Sequence, residues 1–217
     1  MTIAGFEISK CPNCSKLYKT QIIGSFNTCD AEFYSDGFVK GEWIPVIPSI
    51  LKCVNNKCKK IFNIQESEVI AKINRGEFND PQWNEAYPLS GYEIGIDVLE
   101  EALFSDLCHN KDSEYTVRIL LLRRYNDVFR KERTIPLSDR KKSLFIYNIE
   151  KIIELYKRDE ANIGRKIFLA ELYREKGDFN ACLVILNEIT GGNENIKKVK
   201  EMIYSKAKLG DDKVFKY

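Results

Sequence analysis

Four of the seven cysteines fall into two close pairs, Cys11-Pro-Asn-Cys14 and Cys53-Val-Asn-Asn-Lys-Cys58. A Cys-x-x-Cys turn presents two sulfurs on one short loop whose backbone N–H groups stabilise thiolates, and two such loops complete the tetrahedral shell of a zinc ion. The spacing therefore predicts one Zn2+ held by Cys11, Cys14, Cys53 and Cys58. Four thiolates leave no coordination position for water, and so no metal-assisted hydrolysis. Two other chemistries fit the same residues. Cysteine is a common core residue, so the pairs could be buried free thiols, although lysines rather than core aliphatic residues flank them. The third is a redox Cys-x-x-Cys site, but such sites normally lie where a strand enters a helix, and Pro12-Asn13 opens a β-rich segment.

The remaining chemistry-bearing residues are scattered. Cys29 is a candidate substitute ligand, whereas Cys108 and Cys182 fall in predicted helices as small apolar filling. His109, the single histidine, reads as a helix-end cap or surface residue. No Cys-His or Ser-His-Asp arrangement, phosphate loop or cofactor fingerprint is visible. Adjacent acids such as Glu100-Glu101 point in different directions on a helix. The chain does not read as an enzyme.

Between Tyr115 and Lys142 nine basic residues (Arg118, Arg123, Arg124, Arg130, Lys131, Arg133, Arg140, Lys141, Lys142) stand against three acidic ones. Together with Lys57, Lys59 and Lys60 of the second cysteine pair, they are the candidate nucleic-acid contacts. Against that, the net charge is only +2 and residues 1–90 carry ten basic and ten acidic side chains, so no broad basic field exists. A solvated helix face accounts for the local excess as well.

These residues need elements to position them. A chain of 217 residues with 44% hydrophobic and 30% charged content has material for one sizeable core or two small ones. The first ten residues lack the basic and apolar regions of a secretory signal, and no later run approaches the roughly 20 apolar residues of a membrane span. The reading is a cytoplasmic protein, free of membrane, with reduced thiols. Residues 1–75 show short candidate strands at Phe6–Ser9, Ala31–Ser35, Phe38–Glu42 and Ile61–Ile64. Asp36-Gly37 is expected as a type I′ hairpin inserted between the two cysteine pairs. Asp36 and Trp43 look exposed there, and Tyr34 and Trp43 are candidates for a contact surface or for a miniature core. Residues 76–91 read as a linker punctuated by Gly76, Pro81, Pro88 and Gly91.

From residue 92 to 217 apolar residues recur at three and four positions, as in Ile96, Leu99, Leu103, Leu107 and in Phe145, Ile149, Ile152, Tyr156. Further helices are predicted near 114–131, 161–176, 179–190 and 194–209, so this half is all α. The fold class is thus α+β, a small β-rich zinc module followed by a helical domain. The segment from Ala170 to Leu186, in which one helix closes at Gly177 and Phe179 opens another, resembles a tetratricopeptide helix hairpin. A fainter echo ends at Gly210-Asp211. In such a hairpin the first helix lines the concave face. This leaves Arg165, Glu171, Arg174 and Glu175 as exposed candidates, with Arg165 and Arg174 as anchors for a partner's carboxylate.

Cys11-Pro-Asn-Cys14, Asn27-Thr28, Tyr34-Ser35-Asp36-Gly37, Pro45-x-x-Pro48, Leu51-Lys-Cys53 and Phe62 together resemble a set of uncharacterised bacterial proteins with a split N-terminal zinc ribbon and a helical tail. In that group the second knuckle reads Cys-Pro-x-Cys. This chain has two extra residues between Cys53 and Cys58 and no proline. The resemblance implies no known activity and argues against Cys29 as a ligand. The function expected from the sequence is a zinc-stabilised scaffold, without catalytic activity, that binds a protein or peptide. The alternative is a nucleic-acid-binding zinc ribbon using the second-knuckle lysines and the basic 115–142 stretch.

Overall fold

The computed structural model describes residues 1–74, 81–130, 137–156 and 162–217, and is mixed α+β with a strand-rich N-terminal part and a helical C-terminal half. In chain order its strands are β1 (Thr2–Lys10), β2 (Leu17–Ser25), β3 (Glu32–Phe33), β4 (Val39–Lys40), β5 (Ile50–Lys52), β6 (Ile61–Asn63), β7 (Val69–Asn74) and β8 (Tyr87–Pro88). The α-helices are α1 (Ile96–Ala102), α2 (Lys111–Arg130), α3 (Asp139–Tyr156), α4 (Ile163–Glu175), α5 (Phe179–Glu188) and α6 (Glu194–Lys208). Among the described residues no helix is long and apolar enough to cross a membrane. Two compact units result: residues 1–31 with 41–109, and residues 32–40 with 110–217.

The first unit holds a sheet in the order β7-β1-β2-β8, antiparallel except where β8 runs parallel to β2, and a separate β5–β6 ribbon. Ile8 of β1 and Ile73 of β7 bury together with Ala86, while Tyr18, Leu51, Phe62, Ile64 and Leu89 form a second cluster. The expected linker therefore contributes to the fold. Residues 75–80 lie outside the described residues, but Tyr87–Pro88 pairs with Tyr18–Lys19, and Leu89 N–H donates to the Lys19 carbonyl at 3.0 Å. Proline fits there because β8 is an edge strand. The helix expected to run to Leu107 ends at Ala102. The Ser105 hydroxyl accepts from Leu107 N–H at 3.3 Å and caps a separate 3-10 turn, Asp106–Cys108. This segment belongs to the strand-rich unit, so the helical unit begins at residue 110 and not at 92.

In the second unit, side chains of Asn162, Asp178 and Asn193 accept from Arg165, Ala181 and Ile196 N–H at 3.2, 3.1 and 3.0 Å and so start α4, α5 and α6. Ile167 and Ala170 of α4, Cys182 and Leu186 of α5, and Ile203 and Ala207 of α6 share one core. Helix α4 stops at Gly177, whose φ of 87° suits only glycine well; Asp178 N–H reaches back to the Tyr173 carbonyl at 2.9 Å. Helix α6 stops the same way at Gly210 (φ 67°), with Asp211 N–H on the Lys206 carbonyl at 3.0 Å.

The 32–40 hairpin departs from expectation twice. Its turn is not a two-residue type I′ connection. Tyr34 N–H bonds the Phe38 carbonyl and Gly37 N–H the Tyr34 carbonyl, both at 2.9 Å, and only Gly37 takes positive φ (73°), the pattern of a three-residue loop with a left-handed glycine. The hairpin also packs within the helical unit. Asp36, expected at the surface, is fully buried: its carboxylate binds Arg130 and accepts from Asn126 Nδ2 at 3.1 Å and Phe38 N–H at 3.1 Å. Arg130 lies over the rings of Tyr34 and Phe38, at 5.1 and 4.4 Å from their centroids. Trp43, in the other unit, is exposed.

Candidate metal centre

Each cysteine pair sits in the turn of a β-ribbon. Cys11 follows β1 and Cys14 precedes β2; Cys53 follows β5 and Cys58 precedes β6. Cys11 N–H bonds the Lys16 carbonyl at 2.9 Å and Cys53 N–H the Lys60 carbonyl at 2.8 Å, closing the two turns. The residue after the second cysteine is left-handed in both, Ser15 at φ 57° and Lys59 at φ 51°. That conformation costs a non-glycine residue about 1–2 kcal/mol, and its repetition marks two turns held to one shape. The extra residues in Cys53-Val-Asn-Asn-Lys-Cys58 are absorbed by a tight turn in which Cys58 N–H and Lys59 N–H both bond the Asn55 carbonyl, at 2.8 and 3.1 Å.

The four sulfurs lie within 4.8 Å of one another. Across the turns, Cys11 Sγ is 3.8 Å from Cys58 Sγ, and Cys14 Sγ is 3.6 Å from Cys53 Sγ. A tetrahedral ion with metal–sulfur bonds of about 2.3 Å places its sulfurs about 3.8 Å apart, so the residues fit such an ion. A disulfide needs about 2.05 Å, and all seven cysteines are free thiols. Around the sulfurs, the buried Tyr18 hydroxyl donates to Cys53 Sγ at 3.1 Å while accepting Val54 N–H at 3.0 Å, and Asn13 Nδ2 donates to Cys58 Sγ at 3.3 Å. Burial pushes the free Cys11 thiol up to about 12 and raises Cys53, whereas the Asn13 amide pulls Cys58 down to about 6. Burial and the neighbouring Cys53 likewise raise Tyr18. Buried thiols beside one another are costly to ionise unless a cation joins them.

The other cysteines stand apart from this cluster. Cys29 is exposed, Cys108 Sγ donates to the Ala102 carbonyl at 3.4 Å, and Cys182 is buried in the helical core. His109 Nδ1 is 3.2 Å from the Asp106 carbonyl at the end of the 3-10 turn. Of the second-pair lysines, Lys60 pairs with Asp106 at 3.1 Å. In the basic stretch, Lys131 and Arg133 lie outside the described residues. Arg118 binds Glu114 at 2.7 Å, Arg123 donates to the Gly37 carbonyl at 3.0 Å, Arg124 binds Asp127 at 3.0 Å, and Arg130 holds Asp36.

The two arginines expected to anchor a partner separate. Arg165 is exposed, with its guanidinium 5.7 Å from the Tyr156 ring centroid. Arg174 is fully buried: it donates to Glu171 Oε2 at 2.7 Å and to the Asp211 carbonyl, and lies 5.0 Å from the Phe215 ring centroid. Glu171 and Glu175 are buried as well. The expectation fails for these three because α4 is enclosed, with α3, α5, α6 and residues 211–215 around it. Sequence reasoning also missed Tyr18 and Asn13. Asn13 had a signal in its place inside the first cysteine turn, whereas Tyr18 is reached only through the sheet. Comparison of the chain with protein-family models, curated proteins and solved structures returned no match.

Proposed function

We propose that the protein is a zinc-stabilised, non-catalytic scaffold for a protein or peptide segment, with a split zinc ribbon in the strand-rich unit and a tetratricopeptide-like arrangement in the helical one. The observation that carries the zinc assignment is the set of four sulfurs within 4.8 Å of one another, with two separations, 3.8 and 3.6 Å, close to those of a tetrahedral thiolate shell. Cys11, Cys14, Cys53 and Cys58 would hold the ion, which supplies folding free energy by joining two turns distant in sequence. The scaffold reading draws support from the like closures of α4 and α6, which fall 33 residues apart at Gly177 and Gly210. Nucleic-acid binding draws no such support, since Arg118, Arg123, Arg124 and Arg130 are engaged inside the fold.

Metal analysis of the purified protein tests the assignment. One zinc per chain with an all-sulfur shell by X-ray absorption is expected. A metal content near zero after expression in zinc, or nitrogen or oxygen in the inner shell, overturns it. A steeply salt-dependent mobility shift with RNA or DNA would replace the scaffold reading by the nucleic-acid one.

A further inference from the structure

The helical unit contains a cavity of about 610 Å³, within the size range of ligand pockets. Phe33 of the hairpin, Ile167 and Phe168 of α4, Val199 of α6 and Tyr217 give it an apolar wall. Among the described residues, Lys198 is the one charged side chain that lines it. Gly164 and Asn195, which also line it, belong to the first turns of α4 and α6, and helix amino termini carry the same positive sign. The hairpin beside the cavity already accepts an extended segment. Ser35 N–H bonds the Phe215 carbonyl at 2.9 Å and Tyr217 N–H the Phe33 carbonyl at 3.0 Å, so residues 215–217 run antiparallel to β3. Lys216 clasps Glu32 at 2.8 Å in the same place.

From this shape and charge we infer that the cavity seats an extended acidic peptide segment of a partner, with bulky apolar side chains entering between α4, α6 and the hairpin and a carboxylate meeting Lys198. The inference rests on the scaffold reading and gives it a location. Apolar walls with a lysine among them favour an anionic, apolar occupant, and an extended peptide carries both features in alternation. Arg165, adjacent to Gly164 and exposed, stands at the same end of α4. Arg174 has no part in it, being enclosed by Glu171 and Asp211.

The test uses the full chain, after its zinc content has been measured, in amide-resolved NMR titrations. The probes are acetyl-Glu-Phe-Asp-Leu-Glu-amide, its uncharged analogue acetyl-Gln-Phe-Asn-Leu-Gln-amide, and decanoate. Saturable shifts at Gly37, Gly164 and Val199 are expected with the acidic peptide. The uncharged analogue should bind about fivefold more weakly, as should the acidic peptide with Lys198→Ala, because one exposed ion pair is lost in either case. Val199→Trp fills the cavity and should abolish the shifts while leaving the remaining spectrum in place. Equal binding of both peptides, or shifts at those residues with decanoate alone, overturns the inference. Full zinc loading with no peptide response also overturns this inference while leaving the zinc assignment intact. Absent zinc with an intact peptide response fails the zinc assignment instead.

Discussion

Asp36 and Arg130, 94 positions apart in the chain, meet as an ion pair whose side chains are 0% and 3% exposed. Removing Arg130 leaves the Asp36 charge buried with only Asn126 Nδ2 and Phe38 N–H on it, which costs about 3–5 kcal/mol, whereas Arg130 without Asp36 still holds Asp127 at 2.8 Å. Arg130→Ala should therefore lower the urea midpoint strongly. Asp36→Asn keeps an acceptor for Phe38 N–H and isolates the charge. If the asparagine variant is as stable as wild type, the pair contributes nothing and only the turn needs residue 36. In a double-mutant cycle, Asp36→Ala with Arg130→Ala should cost less than the sum of the single changes.

Glu175 makes stability depend on pH. Its carboxyl is buried, close to Glu171 and Asp36, and one oxygen accepts from Asn126 Nδ2 at 2.9 Å while the other has no partner. Arg174 is committed to Glu171, and Arg130 to Asp36. Burial, with those two acids, raises Glu175 well above the usual carboxyl range. The folded state then binds a proton that the unfolded state releases above about pH 4.3. Its contribution to stability is fully present below that value and is lost as pH climbs toward the raised folded-state value. Urea melts at stepped pH should show Glu175→Gln gaining on wild type as pH rises. A constant difference would mean that Glu175 does not titrate in this way.

The Tyr18 hydroxyl holds Cys53 Sγ from outside the ligand set. Tyr18→Phe should keep one metal ion per chain but weaken its retention against a chelator by about tenfold, the lower end of losses when an outer-shell partner is removed. Unchanged retention would show the hydroxyl to be a packing feature only.

The two arginines once equivalent by sequence should behave differently. Arg174→Ala uncovers a buried Glu171 and should cost about 3–5 kcal/mol, whereas Arg165→Ala at an exposed site should stay within about 0.5 kcal/mol of wild type. Chemical denaturation of both variants decides this, and equal losses would contradict the burial of Arg174.

What the sequence disclosed follows from how local each signal is. The cysteine turns and the glycine closure at 177 are written within a few residues, and the structure has both. Strand β2 was missed because, from Leu17 to Ser25, most of its residues are half-buried and the alternation that betrays a strand is weak. Strand β8 was missed because Pro88 reads as a breaker unless the neighbouring edge is known. Asp36-Gly37 carried a sufficient local explanation as a turn, which concealed the long-range role of the aspartate. Glu171, Arg174 and Glu175 look like a solvated helix face by residue type. Only the enclosure of α4 shows that Arg174 and Glu171 pair in the interior and that Glu175 is buried beside them.

The assignment of residues 32–40 to the helical unit also sets an order of events during synthesis. The cysteine turns and strands β1, β2, β5 and β6 are all in hand by Asn63, so the four-cysteine cluster has its members early. Asp36, however, has nothing to dock on until Arg130 has been made, 94 residues later. At ordinary elongation speeds that delay is on the order of 5–20 s. Throughout it the hairpin is an undocked excursion from the growing chain, carrying the carboxylate that Arg130 will later enclose. A ribosome-bound chain stopped before α2 should therefore be cut by protease within residues 32–40, and one extended past α6 should resist.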